Sequence, residues 1–268
     1  MIERWMADPD PGLVPPARTP EVRLESHGVT LLGVMHVPAG PGPHPVVVLL
    51  HGFPGNERNF DLAQALRRAG YATLVFHYRG SWGVGGSYSW RNVLADAAHV
   101  TRMVRERPPT EGLDPGRVAV VGHSLGGFAA LHTAAGDPEV KAVVSIAGFD
   151  FGGAALRGLA DPGAREALRT MFGEDLLPLS GTSAEQLLDE AETNADAFAL
   201  AGLGARLRRP VLLVAGGNDT VAPPELHHEP LVAAYESAEQ VVLPDDHALS
   251  GHRLALTKAV ADFLDRHL

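Results

Sequence analysis

The chain has 268 residues, a formal net charge of −10 and no cysteine. Its length can bury the core of a large α/β domain, and 45% hydrophobic with 20% charged residues is typical of a globular protein. The acidic balance, without a block of Lys or Arg, argues against a nucleic-acid partner. The lack of cysteine excludes disulfides, a thiolate nucleophile and thiolate metal ligands.

The first twenty residues are rich in proline and carry charges at Glu3, Arg4 and Asp8, where a signal peptide would need an apolar core. We therefore predict an extended lead-in over residues 1–20 and no export signal. The longest apolar runs, such as Val46–Leu50, are too short to cross a bilayer, so we expect no membrane partner. Together with the absence of cysteine, this favours a cytoplasmic protein.

Two kinds of pattern alternate along the chain. Polar and apolar residues alternate over Glu21–Val37 around a His27-Gly28 turn, which predicts an antiparallel hairpin. Further on, continuous apolar runs predict buried strands, and apolar residues at helical spacing predict helices between them. The predicted strands are Val46–Leu50, Ala72–His77, Val118–Val121, Ala142–Ile146, Val211–Ala215 and Val241–Leu243. The predicted helices are Asn59–Gly70, Val93–Val104, Leu125–Ala135, Glu225–Tyr235 and Ala248–Leu264.

Strands that alternate with helices indicate an α/β fold. Its crossovers are right-handed, and its mostly parallel central sheet has helices on both faces. Between Gly148 and Arg209 the sequence has no buried strand and only alanine-rich, helix-like segments, which together are too long for a plain loop. We predict a helical cap insertion over about residues 149–209, within a single domain that spans residues 21–268.

One serine lies between glycines at a strand-to-helix junction. The residues Gly122-His123-Ser124-Leu125-Gly126 fit the pattern G-x-S-x-G in the strand and helix context that this motif requires. In such a sharp turn, glycine avoids collisions with the neighbouring strand and helix. The serine hydroxyl is lifted to a helix N-terminus that favours negative charge. We predict that Ser124 is a nucleophile; a plain glycine-rich turn is the alternative.

A serine nucleophile needs a base, and the base needs an orienting carboxylate. Among the 13 histidines, His247 follows the last predicted strand, at the edge where the sites of open α/β sheets gather. Asp219 follows the strand before it, so the chain order is nucleophile, acid, base. Asp150, after the preceding strand, is the alternative acid, and a helix cap before Pro223 is the structural alternative for Asp219.

The other histidines are expected to have structural rather than catalytic roles. His252 falls inside the predicted last helix and is expected at the surface, and His51 is expected to support its loop rather than act as a second base. The stretch ELHHE over Glu225–Glu229 could ligate a metal, but adjacent histidines point apart on a helix, so we predict a solvated face. We predict neither a metal nor an organic cofactor.

Acyl transfer also needs two donors directed at the oxygen that becomes negative. The N–H of Leu125, directly after the nucleophile, is the first candidate. The second should come from the loop His51–Gly55 after the strand Val46–Leu50. We predict the N–H of Phe53, because Pro54 has no N–H to donate.

These motifs together resemble the α/β-hydrolase superfamily of serine hydrolases. The stretches HGFPG, GHSLGG, GGNDTVAP and DDHALS match its oxyanion loop, nucleophile elbow, acid loop and histidine loop, in order, within about residues 21–268. The stretch HYRGSWGVGGSYSW is similar to a loop near the site in small esterases and in the catalytic domains of prolyl-oligopeptidase-like peptidases. The resemblance implies an α/β-hydrolase fold with Tyr78, Arg79 and Trp82 near the substrate. His123, beside the nucleophile, is a further candidate for substrate binding.

The expected activity is that of a carboxylesterase, which hydrolyses a small-molecule ester through an acyl-enzyme. The chain has no N-terminal segment large enough for the propeller that gates the oligopeptidases, which favours esters over peptides. An amidase or peptidase with the same triad is the nearest alternative. A catalytically silent protein that binds a ligand in the same pocket is the alternative from a different class. The sequence is also compatible with a homo-oligomer.

Overall fold

The computed structural model describes residues 3–268. Within them, eight strands form one sheet in the order β1-β2-β4-β3-β5-β6-β7-β8. The strands are β1 Glu21–Ser26, β2 Val29–His36, β3 His44–Leu50, β4 Ala72–Phe76, β5 Leu113–His123, β6 Ala142–Ile146, β7 Val211–Gly216 and β8 Glu239–Leu243. The helices are α1 Phe60–Ala69, α2 Trp90–Glu106, α3 Leu125–Gly136, α4 Phe151–Ala160, α5 Pro162–Gly173, α6 Ala184–Thr193, α7 Ala195–Phe198, α8 Pro224–His227, α9 Glu229–Ala234 and α10 Arg253–His267.

The N-terminal end of the sheet is antiparallel and the rest is parallel. Strand β2 pairs antiparallel with both β1 and β4, whereas all pairs from β4 to β8 are parallel. Both turn residues of the hairpin have positive φ, 48° at His27 and 79° at Gly28, which suits a tight two-residue hairpin turn. The predicted fold class, a mostly parallel sheet with an N-terminal hairpin, is confirmed.

Helices cover both faces of the sheet because the central strands are apolar on both faces. In β3, Val46 and Val48 pack into the core that contains α2 and α3. Their neighbours Val47 and Leu49 point the other way, into the core that contains α1 and α10. Side chains of a strand alternate between faces, so a continuous valine and leucine run serves two cores at once.

The strand order reverses beside β3. After β3 the chain forms β4 on one side of it and then crosses to form β5 on the other side. In open α/β sheets, such a reversal leaves a crevice beyond the carboxyl ends of the two strands that flank it. Here those ends carry the loop His51–Gly55 and the residue Ser124. The topology therefore brings the predicted oxyanion loop next to the predicted nucleophile.

Two predicted helix boundaries are wrong. The segment Glu225–Tyr235 is not one helix but the two short helices α8 and α9, because Pro230 has no N–H for a continuous ladder and restricts the residue before it. The last helix begins at Arg253 rather than Ala248. Leu249 adopts a φ of 56°, and this left-handed conformation interrupts a right-handed helix.

Residues 149–209 contain α4, α5, α6, α7 and the 3-10 turn Leu200–Leu203. This segment is fastened to α2 through buried polar contacts of Trp90. The Trp90 indole donates to the carbonyl of Leu187 at 2.9 Å, and its backbone N–H donates to the carboxylate of Glu190 at 2.7 Å. Two independent hydrogen bonds to α6 therefore fix the position of the helical segment against the sheet.

The predicted lead-in is mostly irregular, with a 3-10 turn over Arg4–Met6. Trp5 is nevertheless buried in the core with α1 and α10, and its carbonyl accepts from Arg68 Nε at 2.7 Å. Met1 and Ile2 lie outside the described residues. Among residues 3–268, none of the helices combines the length and the apolar character needed to span a bilayer.

Candidate active site

Ser124 occupies a strained turn between β5 and α3. Its φ is 56° and its ψ is −118°, a region that a residue with a side chain adopts only when the surrounding structure holds it there. The Ser124 N–H donates to the carbonyl of Ile146 at 2.8 Å, and the Ser124 carbonyl accepts from Phe128 as the first turn of α3 begins. These bonds hold Ser124 at the end of β5, where helix N–H groups are unpaired.

Two glycines make this turn sterically feasible. A Cβ on Gly122 would lie 1.9 Å from the carbonyl oxygen of Gly126, and a Cβ on Gly126 would lie 2.0 Å from the carbonyl oxygen of Leu50. Both separations are far inside van der Waals contact, and the atoms met are backbone. The glycine spacing in the sequence thus has a direct cause in the close approach of α3 to β3 and β5.

Asp219 and His247 are joined by a hydrogen bond. His247 Nδ1 lies 2.7 Å from Asp219 Oδ2, while Asp219 Oδ1 accepts from the amides of Val221 and Ala222 at 2.8 Å each. A carboxylate accepts only, so Nδ1 of His247 carries the proton and Nε2 has a free lone pair. The ring is therefore held in the tautomer that a general base requires.

The electrostatics of Asp219 favour its charged form. Burial of its carboxyl raises the pKa, but the hydrogen bond and charge of His247, with the amides of Ala222 and Val221, outweigh burial and leave the pKa below its ordinary value. Asp219 is 4% exposed. A buried, ionised carboxylate can thus stabilise a positive imidazole beside it.

The loop that carries His247 rests against the residue before the nucleophile. His123 Nε2 lies 2.8 Å from the His247 carbonyl oxygen, and the two rings are 4.9 Å apart. Burial, followed by the charge of His247, lowers the pKa of His123 to about 4, so His123 is neutral and donates from Nε2. His123 is 5% exposed and binds the histidine loop; its predicted contact with substrate stays a prediction.

The predicted oxyanion donors belong to the residue after Ser124 and to a loop that passes close to Ser124. Leu125 opens α3, and the loop of Phe53 passes so close that a Cβ on Gly52 would be 3.2 Å from the Ser124 Cβ. Among residues 3–268, neither the Leu125 nor the Phe53 amide N–H donates to a protein acceptor. Two unpaired backbone donors beside Ser124 suit the stabilisation of a developing negative charge.

The Phe53 loop is fixed from outside by two side chains. The indole of Trp82 donates to the Pro54 carbonyl at 2.9 Å, and Asn56 Nδ2 donates to Asp175 Oδ2 at 2.6 Å. Trp82 is half-buried and stacks on His77. Sequence reasoning placed Trp82 near the site but did not find Asn56 and Asp175, whose 119-residue separation leaves no local signal.

Tyr78 and Arg79 have contacts within the protein scaffold. The Tyr78 hydroxyl is fully buried and donates to the His51 carbonyl at 3.1 Å. Arg79 Nε pairs with Asp96 Oδ1 at 2.8 Å, and the Arg79 backbone N–H donates to the other oxygen of Asp96. Their predicted role in binding substrate stays a prediction; the contacts present support the loops beside Ser124.

Asp150, the alternative acid, and Asp245, which is near His247 in the sequence, are both engaged elsewhere. Asp150 Oδ1 caps α4 by accepting from Gly153 N–H, and it also accepts from Leu200 N–H. Asp245 binds His252, which precedes α10 instead of lying within it. Of the candidates that the sequence left open, Asp219 is the carboxylate hydrogen-bonded to His247.

His51 lies in the core and faces its own loop. Its Nδ1 is 2.8 Å from the Gly52 carbonyl oxygen, and it is fully buried. Burial lowers the pKa of His51 to about 3, so the ring is neutral at ordinary pH. These contacts agree with a structural role for His51 in its loop.

The predicted solvated face over Glu225–Glu229 is wrong for its two histidines. His227 and His228 are 4% and 7% exposed. His227 stacks on Phe149 and its Nδ1 accepts the Asp150 N–H, because the break before α9 turns both rings inward. No group of three or more metal-ligating side chains is arranged for an ion among residues 3–268.

An open groove of about 210 Å³ lies between the helical segment and the chain after Asp219, and Phe149 connects it to the turn that carries Ser124. Its walls include Phe149, Leu168, Met171, Val221 and Pro223. The Phe149 N–H lies 3.3 Å from the Ser124 carbonyl oxygen, so one wall begins directly beside the nucleophile. Sequence reasoning assigned pocket formation to this helical segment without resolving which residues face the groove.

Comparison with known proteins agrees with the fold and the motif order. Residues 47–265 match the model of the Alpha/beta hydrolase family, and the chain belongs to that family. It is 31% identical over 141 residues to 2,6-dihydropseudooxynicotine hydrolase of Paenarthrobacter nicotinovorans, a match that covers 52% of this chain and 37% of that protein. The chain thus spans well under half the length of this relative.

Solved structures share the fold at low sequence identity. Est1E from Butyrivibrio proteoclasticus superposes with a TM-score of 0.67 at 21% identity, covering 92% of this chain and 98% of that one. The alpha/beta hydrolase GrgF from Penicillium sp. sh18 gives a TM-score of 0.70 at 18% identity, covering 93% and 99%. These neighbours support the α/β-hydrolase architecture over nearly the full chain.

Proposed function

We propose that this protein is a serine hydrolase that cleaves carboxylic esters through an acyl-enzyme intermediate. The observation that carries the proposal is the hydrogen bond from His247 Nδ1 to Asp219 Oδ2, on a loop that also contacts the residue before the strained Ser124. A binding protein has no need of an oriented imidazole near a serine held in a strained turn. The arrangement supports nucleophilic catalysis.

In the first half-reaction, His247 Nε2 accepts the Ser124 hydroxyl proton while Oγ bonds to the ester carbonyl carbon. The carbonyl electron pair moves onto oxygen, where the amides of Leu125 and Phe53 stabilise it. As the tetrahedral intermediate collapses, the bond to the alkoxy group breaks and His247 gives its proton to the leaving alcohol. Asp219 stabilises the imidazolium throughout this step.

In the second half-reaction, water replaces the alcohol. His247 takes a proton from the water, the hydroxyl oxygen bonds to the acyl carbon, and the same two amides stabilise the oxygen. Collapse breaks the bond to Ser124 Oγ, which recovers the proton from His247. The products are a carboxylic acid and the regenerated serine.

Replacement of Ser124 tests the proposal directly. Ser124→Ala should lower kcat for 4-nitrophenyl butyrate by about 10⁵ to 10⁶, because no nucleophile remains. It should also abolish labelling by a fluorophosphonate. Ser237→Ala is the matched control, since this exposed serine lies before β8 at the amino edge of the sheet. Equal activity or labelling of Ser124→Ala and wild type would overturn the proposal.

Two rival functions give different results in the same assays. An amidase or peptidase would hydrolyse 4-nitroanilides with a kcat/KM at least equal to that for the matching aryl esters. A silent binding protein would leave Ser124 unlabelled in the folded state and turn over neither substrate. We expect ester hydrolysis to exceed anilide hydrolysis by more than tenfold.

A further inference from the structure

The groove beside the site contains one cationic side chain on a mostly apolar surface. Arg157 projects from α4 into the same groove that Phe149, Leu168 and Met171 line. His227 also lines this groove, and its ring stacks on Phe149 at 4.3 Å. Arg157 Nη2 and His227 Nε2 are 3.3 Å apart. Whether this contact is a hydrogen bond depends on which nitrogen of His227 carries the proton.

The tautomer of His227 is set on its other side. The backbone N–H of Asp150 donates to His227 Nδ1 at 2.9 Å, so Nδ1 is the acceptor of a neutral ring. Burial, followed by the charge of Arg157, lowers the pKa of His227 to about 3, which keeps the ring neutral. The proton of His227 is therefore on Nε2, the atom that faces Arg157.

Two donors thus converge without an acceptor between them. A guanidinium only donates, and Nε2–H of His227 also donates, so the 3.3 Å contact is not a hydrogen bond. Among residues 3–268, no carboxylate oxygen lies within 4.0 Å of an Arg157 nitrogen. Asp150 acts on Arg157 from farther away, and its Oδ1 is taken by the amides of Gly153 and Leu200.

We infer that Arg157 and His227 form a subsite for an anionic group of the substrate, most simply a carboxylate. This inference deepens the proposed function and rests on it. The substrate is then an ester with an apolar arm that lies along the groove and a carboxylate that accepts from both nitrogens. Charge-assisted hydrogen bonds of this kind are about twice as strong as neutral ones. They would also fix how far along the groove the apolar arm of the substrate lies.

The net charge of the chain and the partial burial of Arg157 support this assignment. The chain carries a net charge of −10, so its overall field repels an anion and selectivity must come from a local cation. Arg157 is about half-buried by the apolar walls, and burial lowers its pKa without removing its charge. A guanidinium that is partly desolvated and lacks a salt-bridge partner is stabilised when an anion binds.

Matched ester pairs that differ only in charge test the subsite. The acyl series uses 4-nitrophenyl monoesters of dicarboxylic acids from glutaric to suberic acid, each paired with its terminal primary amide. The alcohol series uses the butyrate ester of 3-(4-hydroxyphenyl)propionic acid, paired with the ester of its amide. The two series distinguish whether the groove receives the acyl or the alcohol part of the ester.

We expect one series to show a kcat/KM at least tenfold higher for the acid than for the amide. Arg157→Met should reduce this ratio to about 1, because the charged partner of the carboxylate is then lost. Arg157→Lys should restore part of the preference. Arg169→Met is the control, because Arg169 on α5 pairs with Glu166 at the surface and should leave the ratio unchanged.

A binding measurement keeps the subsite testable apart from catalysis. In the Ser124→Ala protein, calorimetry should detect 4-phenylbutyrate binding at least tenfold tighter than 4-phenylbutyramide, and Arg157→Met should abolish the difference. Equal binding of the two, or a preference that survives Arg157→Met, would overturn the subsite. Failure of the proposed function has another signature: neutral esters would not be hydrolysed and Ser124 would not be labelled.

Discussion

Asp150 and Asp219 follow neighbouring strands at the same edge of the sheet, yet they have different surroundings. Both are buried, with exposures of 5% and 4%. Asp219 meets His247 because β8, which precedes the histidine loop, pairs with β7. Asp150 follows β6, one strand farther away, and caps α4 instead. Strand order, rather than the local sequence around each aspartate, decides which one orients the imidazole.

The largest expected difference between the two aspartates is in catalysis. Asp219→Asn should lower kcat for an aryl ester by about 10⁴, because an amide can donate to His247 Nδ1 and favour the wrong tautomer. Asp150→Asn should change kcat less than threefold, since asparagine also caps a helix. Initial rates with 4-nitrophenyl butyrate measure both. A comparable loss in the two variants would break the distinction.

The neighbouring glycines Gly216 and Gly217 test whether activity requires close packing of the Asp219 loop against the histidine loop. A Cβ on Gly216 would lie 2.3 Å from the Asp246 carbonyl oxygen, whereas the nearest atom to a Cβ on Gly217 is 3.3 Å away. Gly216→Ala should displace His247 and lower kcat about 100-fold, with a loss of about 1 to 3 kcal/mol in unfolding free energy.

Gly217→Ala is the matched control for the glycine pair, and it should change kcat less than fivefold. Activity assays and urea unfolding separate loss of geometry from loss of fold. Full activity in Gly216→Ala would show that the two loops are not held together at this point.

The smallest expected effect is a difference in the pH dependence of stability. The pKa of Asp219 is lowered because His247 and the loop amides outweigh burial, whereas burial raises the pKa of Asp150. Ionised Asp219 therefore stabilises the fold above about pH 4, and this contribution is lost as pH falls through its folded pKa. Ionisation of Asp150 instead costs stability as pH rises through its raised pKa.

Urea unfolding between pH 3 and 7 tests these opposite signs. At pH 6, Asp219→Asn should be less stable than wild type by about 1 kcal/mol, and the difference should shrink towards pH 3. Asp150→Asn should be as stable as wild type or more stable at pH 6. Parallel pH profiles of the two variants would contradict the assignment of their environments.

Much of the fold could be predicted from local patterns. The strands β3, β6 and β7 could be predicted from their continuous, mostly apolar sequences, because strands covered on both faces bury nearly every side chain. The motif around Ser124 could be recognised because its five residues are adjacent in the sequence, although Gly126 is required by the approach of Leu50 from another strand. Asp219 and His247 were predicted from the edge of the sheet at which strands end.

Features that depend on distant contacts could not be predicted. The left-handed Leu249 that delays the start of α10 has no signal in the sequence, whereas the break before α9 follows from the local Pro230 and could have been predicted. The meeting of Arg157 with His227 depends on a tautomer that the Asp150 amide sets from 77 residues away. No spacing rule connects such residues, because tertiary packing brings them together.

Trp82 gives the protein an intrinsic optical reporter. Of the three tryptophans, Trp5 and Trp90 are buried in separate cores, whereas Trp82 is half-buried and holds the Pro54 carbonyl. Its emission therefore senses the loop that carries Phe53, and an aqueous quencher reaches it before the other two. Movement of that loop during turnover can be followed in the native chain, without an attached dye.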